Sequence, residues 1–286
     1  MENIKKHPLY KKYSLDNLIS SLLEFYRSKF IVLFLSSLVV SALTIFYTNK
    51  YVDMNALQAT SDPEELMLIF NDMVVPLMLI FLVNLLFYMV LNHYIIHSPL
   101  DENHNFFHSM RQSLNLVFPY LVTMVLFLFA ASLAVLIGLS LLIVGVFFTS
   151  LYMFSIFLLL LPIFIVEGNS IGSAISRSIK LTHNGFWKNL GWIAVVVLVY
   201  MVASLLLSAV ITIPFAGNIL KTLLDPDSAA TAVAYTSNPI YLFLSAAASA
   251  LLTPVFPIFG TILYLNGRVK EETSNRDIEK SNSTEY

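Results

Sequence analysis

The chain has no cysteine in its 286 residues. That removes disulfides, thiolate nucleophiles, cysteine-ligated zinc and iron–sulfur clusters from consideration at once. Charge is scarce as well: only 12% of residues are Asp, Glu, Lys or Arg, and the net charge is −2. A polyanion partner such as nucleic acid therefore has no electrostatic basis, and none is expected. Also missing are a Walker loop, a dinucleotide-binding glycine fingerprint and a G-x-S-x-G nucleophile elbow, so neither nucleotide chemistry nor a serine hydrolase has a sequence foothold.

What is present is apolar. Hydrophobic residues make up 57% of the chain and mean hydropathy is +0.77, which excludes an ordinary soluble domain and a disordered one. Six runs are long enough to cross a bilayer. The first is Phe30 to Tyr47. It follows a basic stretch, as a signal peptide would, but starts late and lacks a small-x-small cleavage site after it, so it reads as a retained span. The second, Val74 to Leu91, continues a helix whose start is marked by Asp62-Pro63-Glu64-Glu65: a cap, a proline in the first turn and carboxylates at the positive end. Pro76 is a candidate bend within it. Val117 to Leu161 is about twice a bilayer core in length as one helix, so it must be two spans, with a turn near Gly138. The fifth span ends at Pro214 and Gly217, and Lys221 to Asn238 reads as a polar loop. The sixth, Ile240 to Leu265, carries Pro254 and Pro257 and should be kinked or broken. Residues 269–286 read as a disordered tail. The expected fold class is all-α and polytopic, organised as a basic N-terminus with an amphipathic helix (1–29), a six-span membrane domain (30–268) and the tail.

Between the spans lie short amphipathic stretches. In the clearest, Asn169 is the expected N-cap. Ile171, Ala174, Ile175 and Ile179 form one stripe, while Ser173, Ser176, Arg177 and Lys180 face away from it. Gly185 can take the positive φ that ends the helix. Phe186, Trp187 and Trp192 then resemble an interfacial aromatic belt. Arg177, Lys180, Trp187, Lys188 and Trp192 are the expected contacts to lipid headgroups, which makes membrane lipid the expected partner. Leu15, Leu18, Ile19, Leu22 and Tyr26 make a similar stripe near the N-terminus, and Met110 to Leu116 can be laid over Ile175 to Leu181. The plan is then three units, each an interfacial helix followed by a helical hairpin.

These residues carry a resemblance. Leu161-Pro162, Val166-Glu167-Gly168, Ala174, Arg177-Ser178, Leu181, Phe186-Trp187 and Gly191 resemble the membrane domain of bacterial glycerophosphodiester phosphodiesterases and related six-span bacterial proteins. The family's last span commonly ends in a Tyr…Asp-x-Arg element. Tyr264 and Arg268 fit it, and Asn266 stands where the acid would be. In two-domain relatives a hydrolase domain follows the membrane region. Only the short tail follows Arg268 here, so the resemblance implies the fold and a bacterial inner-membrane location without catalysis.

Two constellations leave other functions open. His93/His97 and His104/His108 are i, i+4 pairs, a spacing that puts both imidazoles of a pair on one helix face, as metal ligation needs. The loop with Pro99 can bring the pairs together. Membrane di-iron oxygenases resemble this loosely but use more ligands than the six histidines here, the others being His7 and His183. Transport is the other alternative. The spans hold no ionisable residue in their cores, which argues against a coupled pump, while Asn84, Asn92 and the broken sixth span remain possible substrate contacts. The leading expectation is a non-catalytic multi-pass protein, without a cofactor, that organises lipid or accompanies a protein partner.

Fourteen of the sixteen lysines and arginines fall on one side of the alternating spans, and only Lys50 and Lys221 on the other. Both termini are therefore expected in the cytoplasm. Single cysteines at Asp62 or Asp225 should react with an impermeant thiol reagent added outside intact cells, and cysteines at His104, Gly172 or Asn282 should not. External labelling at Gly172 would reverse the topology.

Overall fold

The computed structural model describes residues 2–52, 56, 60–140, 142–168, 170–217 and 234–283. Among the described residues the principal α-helices are, in order, α1 (Leu15–Ser28), α2 (Phe30–Tyr51), α3 (Pro63–His97), α4 (Phe106–Leu114), α5 (Val117–Leu139), α6 (Leu142–Glu167), α7 (Ile171–His183), α8 (Phe186–Thr212), α9 (Pro239–Leu252) and α10 (Val255–Ser283). There is no strand among the described residues. Among the described residues, six candidate spans are long and apolar enough to cross a membrane.

Local chemistry explains most boundaries. Asp62 accepts the Glu64 amide at 3.1 Å and starts α3. Asn105 caps α4 by accepting the His108 amide at 2.8 Å. Asn238 caps α9 by accepting the Ile240 amide at 2.9 Å. The break between the third and fourth spans falls between Leu139 and Leu142, just past Gly138. Pro214 lies in a single 3-10 turn that closes α8. The sixth span is broken at Thr253–Pro254, as a proline without a backbone donor requires. Gly185, at φ 96°, is the left-handed residue between α7 and α8.

Several expectations change. α10 continues as a helix through Ser283, where a disordered tail was expected from residue 269. Val269 to Thr273 shows why: the Thr273 hydroxyl bonds the Val269 carbonyl, and Arg268, Glu271 and Glu272 share one helix face that finds partners. The expected N-cap Asn169 lies outside the described residues, and Ser170 occupies the cap position of α7. Of the expected Lys221–Asn238 loop, residues 221–233 also lie outside them, and Ala234–Ser237 is a 3-10 turn. In α1 the buried face is Leu18, Ser21, Leu22 and Phe25, while Leu15 is exposed.

By packing, the chain divides into two units. The first comprises Met1–Lys29, Tyr88–Leu198 and Val255–Tyr286. Here α6 is central: α5, α7 and α10 all pack on it, and α1 packs on α10. Residues Leu158 to Leu161, Ile163 and Phe164 of α6 are all at most 2% exposed. The three amphipathic helices α1, α4 and α7 all belong to this unit. The second unit, Phe30–Phe87 and Val199–Pro254, has α2 packed on α9 through Leu33, Ser37, Leu242, Ala246 and Ala250.

A short amphipathic helix precedes each successive pair of candidate spans, the last span being the broken α9–α10. The overlay of α4 on α7 also holds in burial. Ser109 and Ser113 of α4 and Ala174 and Ser178 of α7 are at most 1% exposed and occupy matching positions. Small residues at i, i+4 let a short helix lie close on its neighbour.

α10 crosses α6 at Gly260, where an added Cβ would meet the Leu158 carbonyl oxygen at 2.7 Å. Backbone cannot yield there, so Gly260→Ala should destabilise the protein by about 1–3 kcal/mol. Gly191→Ala meets nothing within 4 Å. Thermal unfolding in detergent should show a lower midpoint for the first variant only.

Candidate functional site

The polar groups of the first unit gather where α6 ends, α7 lies across it, and α10 leaves its apolar stretch. Glu167 is the last residue of α6, a poor place for a carboxylate because the helix end is already negative. Arg177 of α7 compensates. Its Nε reaches Glu167 Oε1 and Oε2 at 3.3 and 3.2 Å, and its two terminal nitrogens form a fork on Glu271 at 2.7 and 2.6 Å. Side-chain exposures are 22% for Arg177, 12% for Glu167 and 20% for Glu271, so the pair is only partly screened by water. The Glu271 hydrogen bonds hold the Arg177 guanidinium even more firmly charged than usual, against the opposing effect of burial. Tyr264, fully buried, donates to Glu167 Oε1 at 3.0 Å, and Arg268 donates to the Tyr264 hydroxyl at 3.3 Å. A chain of hydrogen bonds therefore joins α6, α7 and α10.

The N-terminal segment closes over α10. Tyr10 donates to Glu272 at 2.7 Å and Lys5 pairs with it at 3.0 Å. Burial, helped by Glu272, pushes the Tyr10 hydroxyl up to about 12. The Tyr13 amide donates to Asn266 Oδ1 at 3.2 Å. The residue standing where the family pattern has an acid thus still supplies the acceptor that an aspartate would. His7 accepts from the Leu9 amide at 3.1 Å through Nδ1, which leaves Nε2 to donate to the Ile95 carbonyl at 3.1 Å. Burial lowers its pKa to about 4, so it is neutral in the folded chain at pH 7.

The expected headgroup contacts separate into three kinds. Lys180 and Trp187 are exposed, Trp187 at 74%. Arg177 is not available to lipid: the stripe facing away from the isoleucines turns it inward, onto the two carboxylates. Trp192 is buried rather than part of a belt, and Lys188 lies over its ring at 4.9 Å while donating to the Tyr13 carbonyl at 3.2 Å. The buried face of α7 is Ala174, Ser178, Leu181 and Thr182, which leaves Ile179 of the expected stripe exposed.

The four histidines do converge. Ring centroids lie 4.1 Å apart for His93–His97, 5.4 Å for both His93–His104 and His97–His104, and 4.8 Å for His104–His108. His97, His104 and His108 line one side of an open cleft of about 440 Å³ together with Asp101 and Gln112, and His93 lies behind them. Their nitrogens point elsewhere, however. His93 Nδ1 and His104 Nε2 share the Ser109 hydroxyl at 3.3 and 2.8 Å, His97 Nδ1 faces the His93 carbonyl at 3.1 Å, and His108 Nε2 faces Gln112 at 2.7 Å. Each ring thus has one nitrogen engaged by a hydroxyl, a carbonyl or an amide of the protein. Among the described residues, no group of three or more His, Asp or Glu is disposed to hold a metal ion. Burial, then His97 and His108, lower the His104 pKa, and Asp101 opposes them.

In the second unit, α8 and α9 border a cavity of about 180 Å³ lined by Tyr200, Ser204, Ser208, Tyr241, Ser245 and Ser249. Asn84 bonds Thr44 and the Ile80 carbonyl, at 3.3 and 2.8 Å. Asn92, in the first unit, is buried and donates to the Tyr88 carbonyl at 2.9 Å.

Sequence reasoning missed Glu271 and Glu272 because both fell in a presumed tail. The usable signal was spacing: Tyr264, Arg268, Glu271 and Glu272 sit at i, i+4, i+7 and i+8, one face of a helix that continues. Glu271→Gln should leave Arg177 without half of its charge partners and cost roughly 2 kcal/mol, less than for a fully buried pair because of the remaining exposure. Lys180→Gln, at an exposed position, should change stability by no more than about 0.5 kcal/mol. Unfolding in detergent, followed by helical circular dichroism, reads the difference.

No curated protein and no solved structure matches the chain. A family model does: the membrane domain of glycerophosphoryl diester phosphodiesterase matches residues 127–285, a span that contains Glu167, Arg177, Tyr264, Arg268 and Glu271. With more than half of the chain matched, and with the residues that tie α6, α7 and α10 together inside the match, this multi-pass membrane protein belongs to the family of the glycerophosphoryl diester phosphodiesterase membrane domain.

Proposed function

We propose that the chain is a non-catalytic membrane protein of the bacterial inner membrane that organises lipid, or a protein partner, at the polar end of its first unit, with both termini in the cytoplasm. One observation carries this reading. The ionisable side chains gathered there are engaged with one another, Arg177 with Glu167 and Glu271, and Glu272 with Lys5 and Tyr10. A general acid or base needs a proton to exchange with a substrate, and groups held in a mutual clasp serve as a brace instead. Lys180 and Trp187, beside the clasp, remain exposed to whatever surrounds it.

Passage of a small uncharged polar solute is the second reading, favoured by the hydroxyl-lined cavity between α8 and α9. Hydroxyls can replace a solute's water shell without the cost of a buried charge. Purified protein in proteoliposomes addresses both readings. The expected result is no hydrolysis of a glycerophosphodiester and no accelerated entry of glycerol. Turnover that disappears in Glu167→Gln would overturn the non-catalytic reading. Glycerol entry that disappears in Ser204→Leu/Ser245→Leu would establish the second reading in its place.

A further inference from the structure

Two lysines from separate segments of the first unit meet over Trp192, and a third stands near one of them. Lys188, in the first turn of α8, lies over the indole at 4.9 Å, and Lys270 of α10 lies over it at 5.8 Å. Lys12, from the segment before α1, is close enough for its charge, with that of Lys188, to repel the Lys270 ammonium. Among the described residues no carboxylate pairs with any of the three. The acids adjacent to Lys270 in sequence are committed elsewhere, Glu271 to Arg177 and Glu272 to Lys5 and Tyr10.

The position makes the excess charge more costly. Lys270 Nζ lies 2.9 Å from where a Cβ on Gly185 would be, at the entrance to α8. The first bond of that helix is donated by Asn189 to the Gly185 carbonyl, so this is its positive end. A cation beside a helix N-terminus is opposed by the helix dipole. Two further cations and no acid add to the opposition. Trp192 offsets part of it through its ring face, but a ring carries no net charge.

We propose that Lys188 and Lys270 form a binding site for a phosphate-bearing anion over Trp192, with the charge of Lys12 adding to its field. A phosphate monoanion or diester can accept from both ammonium groups at once and satisfies the positive helix end as well. An anionic phospholipid headgroup and a free phosphate offer this same chemistry. The site deepens the lipid-organising reading and rests on it only for the choice of ligand class. The enzymatic and flux assays that test that reading are blind to headgroup binding, so the two can fail separately.

Native mass spectrometry of the detergent-purified full chain, titrated with phosphatidylglycerol or phosphatidylcholine, tests the site. Each lysine near an anionic group contributes on the order of fivefold. The wild type should therefore prefer phosphatidylglycerol by about tenfold or more, and Lys188→Gln/Lys270→Gln should lose that preference while Lys180→Gln keeps it. Thermal unfolding with millimolar inorganic phosphate, against chloride at equal ionic strength, separates the sources. A rise in midpoint in the wild type that the double variant lacks points to free phosphate, and lipid preference without such a rise points to the headgroup. A wild type that prefers neither phosphatidylglycerol nor phosphate overturns the site, whatever the variant does. So does an unchanged preference in a double variant that keeps the helical content of the wild type.

Discussion

Arg177 is the side chain on which the polar end of the first unit depends. It neutralises Glu167, which would otherwise add a negative charge to the negative end of α6, and it anchors Glu271 two turns beyond the apolar part of α10. Both contacts are charge-assisted, and the one to Glu271 is bidentate. Each is stronger than an exposed ion pair because at most 22% of any of these side chains meets solvent. Around this clasp the rest arranges itself. Tyr264 completes the Glu167 acceptor, Arg268 holds the Tyr264 hydroxyl, and the N-terminal segment reaches Asn266 and Glu272 on the same helix.

Below the clasp, contact is made by shape. In hydrocarbon there is no hydrophobic gain in bringing two apolar helices together, so close approach of backbones has to supply the attraction. Gly260 lets α10 lie on the Leu158 carbonyl of α6, and Ala246 and Ala250 perform the corresponding role where α9 meets α2. The amphipathic helices obey the same rule at smaller scale. α4 and α7 bury Ser or Ala at i and i+4 and turn their larger apolar residues, Met110 and Ile179, outward. α4 and α7 thus share a manner of packing as well as a place before a pair of apolar spans.

The histidine cluster shows how proximity and ligation differ. Spacing brought the two pairs to single helix faces, and the reversal around Pro99 brought the faces together. Ring orientation then decided the chemistry. Ser109, buried at the centre of α4, takes one nitrogen from each of two rings, and backbone or Gln112 takes others. Ser109, part of the small buried face of α4, thus also sets two of the histidine hydrogen bonds.

The number of spans, their approximate limits, the broken sixth helix and the positive φ at Gly185 were all legible in the amino-acid order, because each is set by local rules: run length, proline's missing donor and glycine's missing Cβ. The family was legible as well, since Glu167, Arg177, Tyr264 and Arg268 stand at recognisable spacings. What each charged residue does was decided only in three dimensions. Arg177 looked like a headgroup contact because an amphipathic pattern tells which residues share a face but not what covers that face. Its partner Glu271 lies 94 residues away, in a stretch whose polarity imitates a disordered tail. Lys188 and Lys270 are likewise far apart in the chain, and only the folded first unit brings their like charges together over one indole, with Lys12 near enough to Lys270 to add to them. Ion pairs and their absence are properties of distance in space, and a membrane protein with few charges concentrates its chemistry in the few places where the fold makes those charges meet.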